Sequence, residues 1–271
     1  NKNDKKIEDL TKFVSTYKTS QYLDDALYEL GNTYTAEEMN DKAISTFDNL
    51  INNNKNSAYV AKSILKQGLI YYNTDKDDAA ITKFKKVVAE FPNSPESLEA
   101  VATAKSIYKA NGKVGEYAAW VKTLSFVEVT DAELDNDMYE SAEKQYLNNS
   151  PKKAIEGFTS YLAQFPNGLH ALKVHFYLAQ LYFADKLEKN AIPHYDYVIA
   201  QARNEFTEQA LVRLSEIHLK DKNCELAISV LKQVETIAEF PQNTTFAQAN
   251  LMKCYYEKQD FVNSEIYADK V

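Results

Sequence analysis

The sequence predicts an all-α solenoid of about seven stacked helical hairpins with a period near 37 residues. Three observations carry that prediction. The 271 residues include only 6 Gly and 6 Pro, too few for a sandwich or barrel, which reverses direction roughly every 8–12 residues. Apolar residues fall at 3–4 spacing along most of the chain, as on one face of a helix. A short motif also returns at a fixed interval, and periodicity on this scale marks repeat architectures.

The motif is Ala-Ile, two variable residues, then a bulky apolar residue. It occurs as Ala43-Ile44-Ser45-Thr46-Phe47, Ala80-Ile81-Thr82-Lys83-Phe84 and Ala154-Ile155-Glu156-Gly157-Phe158, and again as Ala191-Ile192-Pro193-His194-Tyr195 and Ala227-Ile228-Ser229-Val230-Leu231. The steps are 37, 74, 37 and 36 residues, so the 74 hides a unit of weak identity. Phe91-Pro92-Asn93, Phe165-Pro166-Asn167 and Phe240-Pro241-Gln242 keep the same clock, and Tyr34, Tyr71, Tyr182 and His218 each stand nine residues before an alanine.

The elements follow in order. Residues 1–20 read as the second helix of a hairpin whose first helix is missing, because Ile7 to Phe13 aligns with Ile155 to Tyr161. Residues 21–57 hold one apolar stripe at Leu23, Ala26, Leu27, Leu30 and Tyr34, a polar turn from Glu37 to Asp41, and a second stripe at Ala43, Ile44, Phe47, Leu50 and Ile51. Residues 58–94 repeat this and close on Pro92, which cannot continue a helix. Residues 95–130 diverge: Tyr108 keeps its place, but Tyr117 stands where the alanine should be. A shortened second helix is expected there, then an extended connector over 125–130 with weak strand alternation at Phe126-Val127-Glu128-Val129. Residues 131–168, 169–205 and 206–243 return to the pattern, and 244–271 begin a seventh unit whose second helix should be running at Ser264. Neither end carries the polar capping helix typical of solenoids. The expected reading is therefore a piece of a longer repeat protein, all in one solenoid domain. Within a hairpin, Gly31, Gly68 and Ala179 are expected to offer a small residue opposite the alanine, while Phe47, Phe84 and Phe158 fill the space toward the next hairpin.

These residues resemble the tetratricopeptide repeat (TPR). Leu27, Leu30, Gly31, Tyr34, Ala43 and Phe47 match its pattern in order, and so do Ile64, Gly68, Tyr71, Ala80, Phe84 and Pro92. The resemblance implies a right-handed TPR superhelix. The period of 37 rather than the usual 34, with the Phe-Pro endings, is similar to TPR proteins of bacterial envelopes. The Tol–Pal-associated periplasmic coordinator and the outer-membrane assembly lipoproteins are of that type. It implies a periplasmic or outer-membrane-associated setting, with a cytoplasmic one left open.

The resemblance further implies a non-enzymatic scaffold that holds a protein or peptide on its concave face, with no cofactor. Carried onto this sequence, the groove positions include Tyr28 and Asn32, then Lys62, Leu65, Leu69 and Tyr72. They continue as Tyr139 and Tyr146, Phe176 and Phe183, Val212 and Leu219, and Tyr256. These aromatics either line an open groove, as typical binding anchors, or are covered by neighbouring turns. In the second case the repeats form a structural spacer with no groove ligand. A grip on a chaperone C-terminal carboxylate is not expected. Tyr28 stands where that clamp has its first lysine, and Glu99 and Thr103 replace its cations, which would leave the carboxylate unpaired.

Other chemistry is poorly represented. The formal net charge of −8 argues against nucleic acid or anionic lipid as partner. No apolar run approaches the roughly 18 residues of a membrane span. No Gly-rich phosphate loop, His-Glu-x-x-His or Gly-x-Ser-x-Gly occurs. Three of the four histidines, His170, His175 and His194, share one unit, but His175 and His218 fall on core aromatic positions, so no metal is expected. Asp75, Asp77 and Asp78 read as a solvated turn, and Cys224 and Cys254 as free thiols.

Overall fold

The computed structural model describes residues 2–271, and every regular element among them is an α-helix. The chain forms two compact bodies, divided between Leu134 and Asp135. The first holds α1 (Lys2–Thr16), α2 (Leu23–Ala36), α3 (Asn40–Asn53), α4 (Val60–Asn73), α5 (Asp77–Glu90), α6 (Pro95–Ala110), α7 (Val114–Val121) and the first turn of α8 (Asp131–Leu147). The second holds the rest of α8, α9 (Pro151–Gln164), α10 (Ala171–Ala184), α11 (Glu188–Ala200), α12 (Thr207–Lys220), α13 (Cys224–Ile237), α14 (Pro241–Glu257) and α15 (Phe261–Ala268). Each helix packs on the next from α1 to α7 and again from α9 to α15, the pattern of stacked hairpins.

The repeat clock is written most plainly in the backbone. Glu38, Asp75, Gly112, Asn149, Lys186, Lys222 and Gln259 all have positive φ, between 54° and 76°. Each sits in the turn between the two helices of a hairpin. The next residue's N–H then bonds back five residues, as in Met39→Tyr34, Lys76→Tyr71, Lys113→Tyr108, Ser150→Gln145, Leu187→Tyr182, Asn223→His218 and Asp260→Tyr255. This six-to-one bond is the Schellman closure of a helix end. Four of its acceptors are the residues that stand nine before an alanine.

The core follows from the motif. Ala43, Ala80, Ala154, Ala191 and Ala227 have no exposed surface, nor do Phe47, Phe84, Phe158, Tyr195 and Leu231 four residues later. Burying each large side chain contributes roughly 1.5–3 kcal/mol. The glycines serve a different contact from the one expected. A Cβ on Gly31 would stand 2.5 Å from the Phe47 ring, and one on Gly68 would stand 2.5 Å from Phe84. These phenylalanines thus fill their own hairpin, because the ring is wide enough to occupy the gap that the missing side chain leaves. Phe158 does both, lying 6.4 Å from Tyr146 in its own hairpin and 5.7 Å from Tyr177 in the next. On α9, a Cβ at Gly157 would meet the Ala142 Cβ of α8 at 2.8 Å.

One buried polar side chain ties three helices together. Gln67 is fully buried on α4, donates to the Ile44 carbonyl at 2.9 Å and Asp48 at 2.8 Å, and accepts from Lys83 at 2.6 Å. It thereby ties α3, α4 and α5. The prolines of the three Phe-Pro pairs divide into two roles. Pro92 and Pro166 follow the ends of α5 and α9, whereas Pro241 opens α14 as its first residue, where a missing N–H costs nothing. Helix α7 has only eight residues, and 126–129 carry no regular structure.

Candidate protein-binding groove

The first helices of the hairpins carry the residues assigned to a groove, and in the structure these fall into rows with different fates. The first row is Tyr28 on α2, Tyr139 on α8 and Phe176 on α10. Each stacks on an aromatic ring just before the next hairpin's first helix. Tyr28 lies on Tyr59 at 4.6 Å, Tyr139 on His170 at 4.0 Å, and Phe176 on Phe206 at 4.4 Å. The offsets of 31, 31 and 30 residues make this a repeated device. Tyr139 and Phe176 keep only 4% and 6% of their surface, and Leu65 on α4 keeps 5%. These three groove assignments are corrected: the side chains bridge neighbouring hairpins or pack beneath them, and offer a partner no surface. Tyr28 stays half-buried.

Around the stacks, joint acids bind the turns. Tyr59 donates to Asp25 at 2.7 Å, and that carboxylate raises the Tyr59 pKa. Buried Asp135 accepts from the Tyr161 hydroxyl at 2.5 Å and from the Leu169 N–H at 2.8 Å. Glu208 accepts from the Glu239 N–H at 3.0 Å and the Asn243 amide at 2.8 Å. In each case a carboxylate in the first turns of one hairpin holds the entry to the next.

The second row lies one turn further along. Asn32 and Leu69 are half-buried; Lys62, a turn before Leu65, is exposed with its ammonium 5.6 Å from the Tyr59 ring centre. In the second body Lys173 pairs with Glu143 at 3.2 Å and lies over Tyr139 and Tyr177 at 5.4 and 5.6 Å. The Tyr139 hydroxyl bonds to the same Glu143, and Tyr139 and Glu143 together raise the Lys173 pKa. Arg213 stacks over Phe183 at 5.0 Å and pairs with Glu216 at 2.8 Å. Both cation–ring contacts lie on a partly open surface.

The third row is the most open. Tyr72 on α4 is 39% exposed. Tyr146, Phe183 and Leu219 are half-buried on α8, α10 and α12, and Tyr256 on α14 is 65% exposed. The last four are spaced 37, 36 and 37 residues apart, so they form one stripe on the second body. Val212, half-buried, lines a polar cleft of about 480 Å³ with Glu208, Arg213, Glu216, Glu239 and Asn243.

Sequence reasoning weighed His170 only with the other histidines and did not single out Tyr59, Tyr177, Phe206 or Arg213. The aromatic pairs at offset 30–31 were a readable signal for His170, Tyr59, Tyr177 and Phe206. His175 and His194 meet through their Nδ1 atoms at 2.9 Å, and His175 stacks on Tyr197 at 3.7 Å. Burial, then the neighbouring His194, lowers the His175 pKa to about 4. Among the described residues no group of three or more His, Cys, Asp or Glu side chains is placed to hold a metal ion, and no helix is long and apolar enough to cross a membrane.

Residues 25–57 and 62–94 match the family model of the tetratricopeptide repeat. Those two units are TPR repeats. They correspond to the α2–α3 and α4–α5 hairpins, so the TPR glycines Gly31 and Gly68 are the ones that admit Phe47 and Phe84. Each of the two bodies is an all-α stack of two-helix hairpins. Among solved structures it is similar to a tetratricopeptide repeat protein from Parabacteroides merdae, at 12% identity over 90% of each chain and a TM-score of 0.37. It is similar to Pseudomonas aeruginosa pilF at 14% identity, over 83% of this chain and 96% of that one, TM-score 0.37. The TPR2AB domain of yeast Sti1, solved with a pHSP90 partner, is similar at 14% identity over 97% and 98%, TM-score 0.37. No curated protein sequence matches the chain.

Proposed function

We propose that the protein is a non-enzymatic scaffold that holds a segment of a partner protein along the third row of first helices in its second body. The observation that carries this reading is the split between rows. The first-row rings, and Tyr146 on Tyr177 at 4.6 Å, are used up in stacking hairpin on hairpin, while Phe183, Leu219 and Tyr256 keep open surface at repeat spacing. Rigid aromatic rings give large contact area at small entropic cost. The net charge of −8 supports a polypeptide rather than nucleic acid. The 37-residue period and the Phe-Pro endings support a bacterial envelope setting, periplasmic or outer-membrane-associated.

The spacer reading draws support from buried Leu65, Tyr139 and Phe176. One experiment separates the two. Peptides selected on the wild-type protein from a random display library are titrated against the Phe183→Ala/Leu219→Ala double variant. Scaffold function predicts at least a tenfold loss of affinity in a folded variant. Unchanged affinity, or a library that yields no binder, favours the spacer.

A further inference from the structure

The second helices supply a surface that the groove does not involve. In the five that carry the Ala-Ile pair, the residues two before and two after the alanine are Asp41 and Ser45, Asp78 and Thr82, Lys152 and Glu156, Lys189 and Pro193, Glu225 and Ser229. All ten are exposed although another hairpin follows each of them. They mark the outer face of the stack, which the next hairpin does not cover. In α15 the alanine position is Ser264, and the same two outer positions are Val262 and Ile266. They are 71% and 49% exposed, beside Phe261 at 59%.

The isoleucine that follows the alanine in five hairpins, half-buried each time, becomes exposed Glu265. The apolar stripe of α15 has therefore turned by about one residue, roughly 100° around the helix. The helix itself is held firmly. Tyr267 stacks on Tyr255 at 5.7 Å and donates to Glu235 at 3.1 Å, and Ser264 donates to the Met252 carbonyl at 3.1 Å. Phe261 meets exposed Tyr256 edge-on at 5.6 Å. Phe261, Val262 and Ile266 are thus presented on a fixed support, and exposed apolar patches of this kind mark interaction sites.

The chemistry around the patch specifies its occupant. Glu265 and Asp269, both exposed, run beside Val262 and Ile266 on the same side of the helix. The nearby cation Lys270 is turned away, paired with Glu235 at 2.8 Å and lying over Tyr267 at 4.5 Å. A second copy of the chain is a poor fit. A stable symmetric dimer needs roughly 800 Å² and 20–30 residues per partner, and a two-fold contact here would set Glu265 and Asp269 against their own copies. We propose that the outer face of α15 docks a short amphipathic partner segment whose apolar side chains seat on Phe261, Val262 and Ile266 and whose lysines or arginines meet Glu265 and Asp269. The site lies on a different helix from the groove and meets its last residue, Tyr256, only at Phe261.

The test uses two labelled 14-residue helical peptides, one of Leu and Lys and its twin of Leu and Glu, with fluorescence anisotropy on the whole chain. The Leu/Lys peptide is expected to bind, and Val262→Ser/Ile266→Ser to weaken it at least tenfold. Glu265→Lys/Asp269→Lys should reverse the preference toward the Leu/Glu twin, and Phe183→Ala/Leu219→Ala should leave binding unchanged. All four α15 positions are exposed, so these variants retain the fold, as circular dichroism checks. The proposal is overturned by no binding, by equal binding of the twins, or by wild-type affinity in Val262→Ser/Ile266→Ser. A dimer in sedimentation equilibrium that the same variant abolishes also overturns it, since a second copy would then own the face.

Discussion

Gly31→Ala sets a local preference against a tertiary contact. In an isolated helix the change to Ala favours folding by about 1 kcal/mol. Here the new Cβ would stand 2.5, 2.7 and 2.9 Å from three carbons of the Phe47 ring. That ring has no exposed surface and lies 6.1 Å from Tyr28, so it cannot withdraw without moving its neighbours. Overpacking of this kind costs roughly 1–3 kcal/mol and more when the neighbour is rigid. The clash outweighs the propensity gain, and the variant should lose about 1–2 kcal/mol. Phe47→Leu removes the ring, so the double variant should be no less stable than Phe47→Leu alone, a coupling of about 1–2 kcal/mol. Urea unfolding followed by far-ultraviolet circular dichroism measures all four corners of the cycle. A single variant more stable than wild type, or a cycle without coupling, would refute the close approach of α2 to the Phe47 ring.

Other predictions rest on separate features. Asp135→Ala leaves the Tyr161 hydroxyl and the Leu169 N–H without their acceptor; at about 1–3 kcal/mol per unsatisfied buried group, a loss of at least about 2 kcal/mol is expected in urea, and a wild-type midpoint would contradict it. Gly112→Ala places a side chain at a φ of 76° and should cost about 1 kcal/mol, read as a lower thermal midpoint. His175 is held near 4 while the unfolded chain titrates near 6.5, so the unfolded state takes the proton first as pH falls. Its contribution is complete above about 6.5 and is lost between 6.5 and 4. Each unit of pKa is worth about 1.4 kcal/mol, and partial exposure reduces the total to about 1–2 kcal/mol. His175→Asn should flatten the stability profile across that window, and an unaltered slope would exclude the histidine as its source.

The period, the two-helix unit and the buried alanines are legible in the sequence because they depend on which side chains are small and which are apolar. The turns are not legible in the same way. Of the seven left-handed residues in the turns within hairpins only Gly112 is a glycine; the others are Glu38, Asp75, Asn149, Lys186, Lys222 and Gln259. The Schellman bond is made by the backbone and tolerates all of them, so residue type conceals the conformation and only the spacing betrays it. The groove was half legible. Helical position places Tyr28, Tyr72, Tyr139 and Phe176 on first helices, but whether a ring stays open depends on what precedes the next hairpin. Tyr59, His170 and Phe206 cover the first-row rings, and that pairing spans 30 residues, beyond any local window. Phe47 was assigned to the wrong gap for a related reason: periodicity reports that a ring is inside, not which of two interfaces it fills.

Because the bend at each hairpin is enforced by main-chain geometry, its side chains are decoupled from the architecture. The edge of the molecule formed by Lys186, Lys222 and Gln259 behaves as a row of evenly spaced, interchangeable attachment points. Fluorophores or crosslinkers placed there would sit at distances dictated by the repeat pitch, turning the protein into its own ruler for any ligand-induced change in winding.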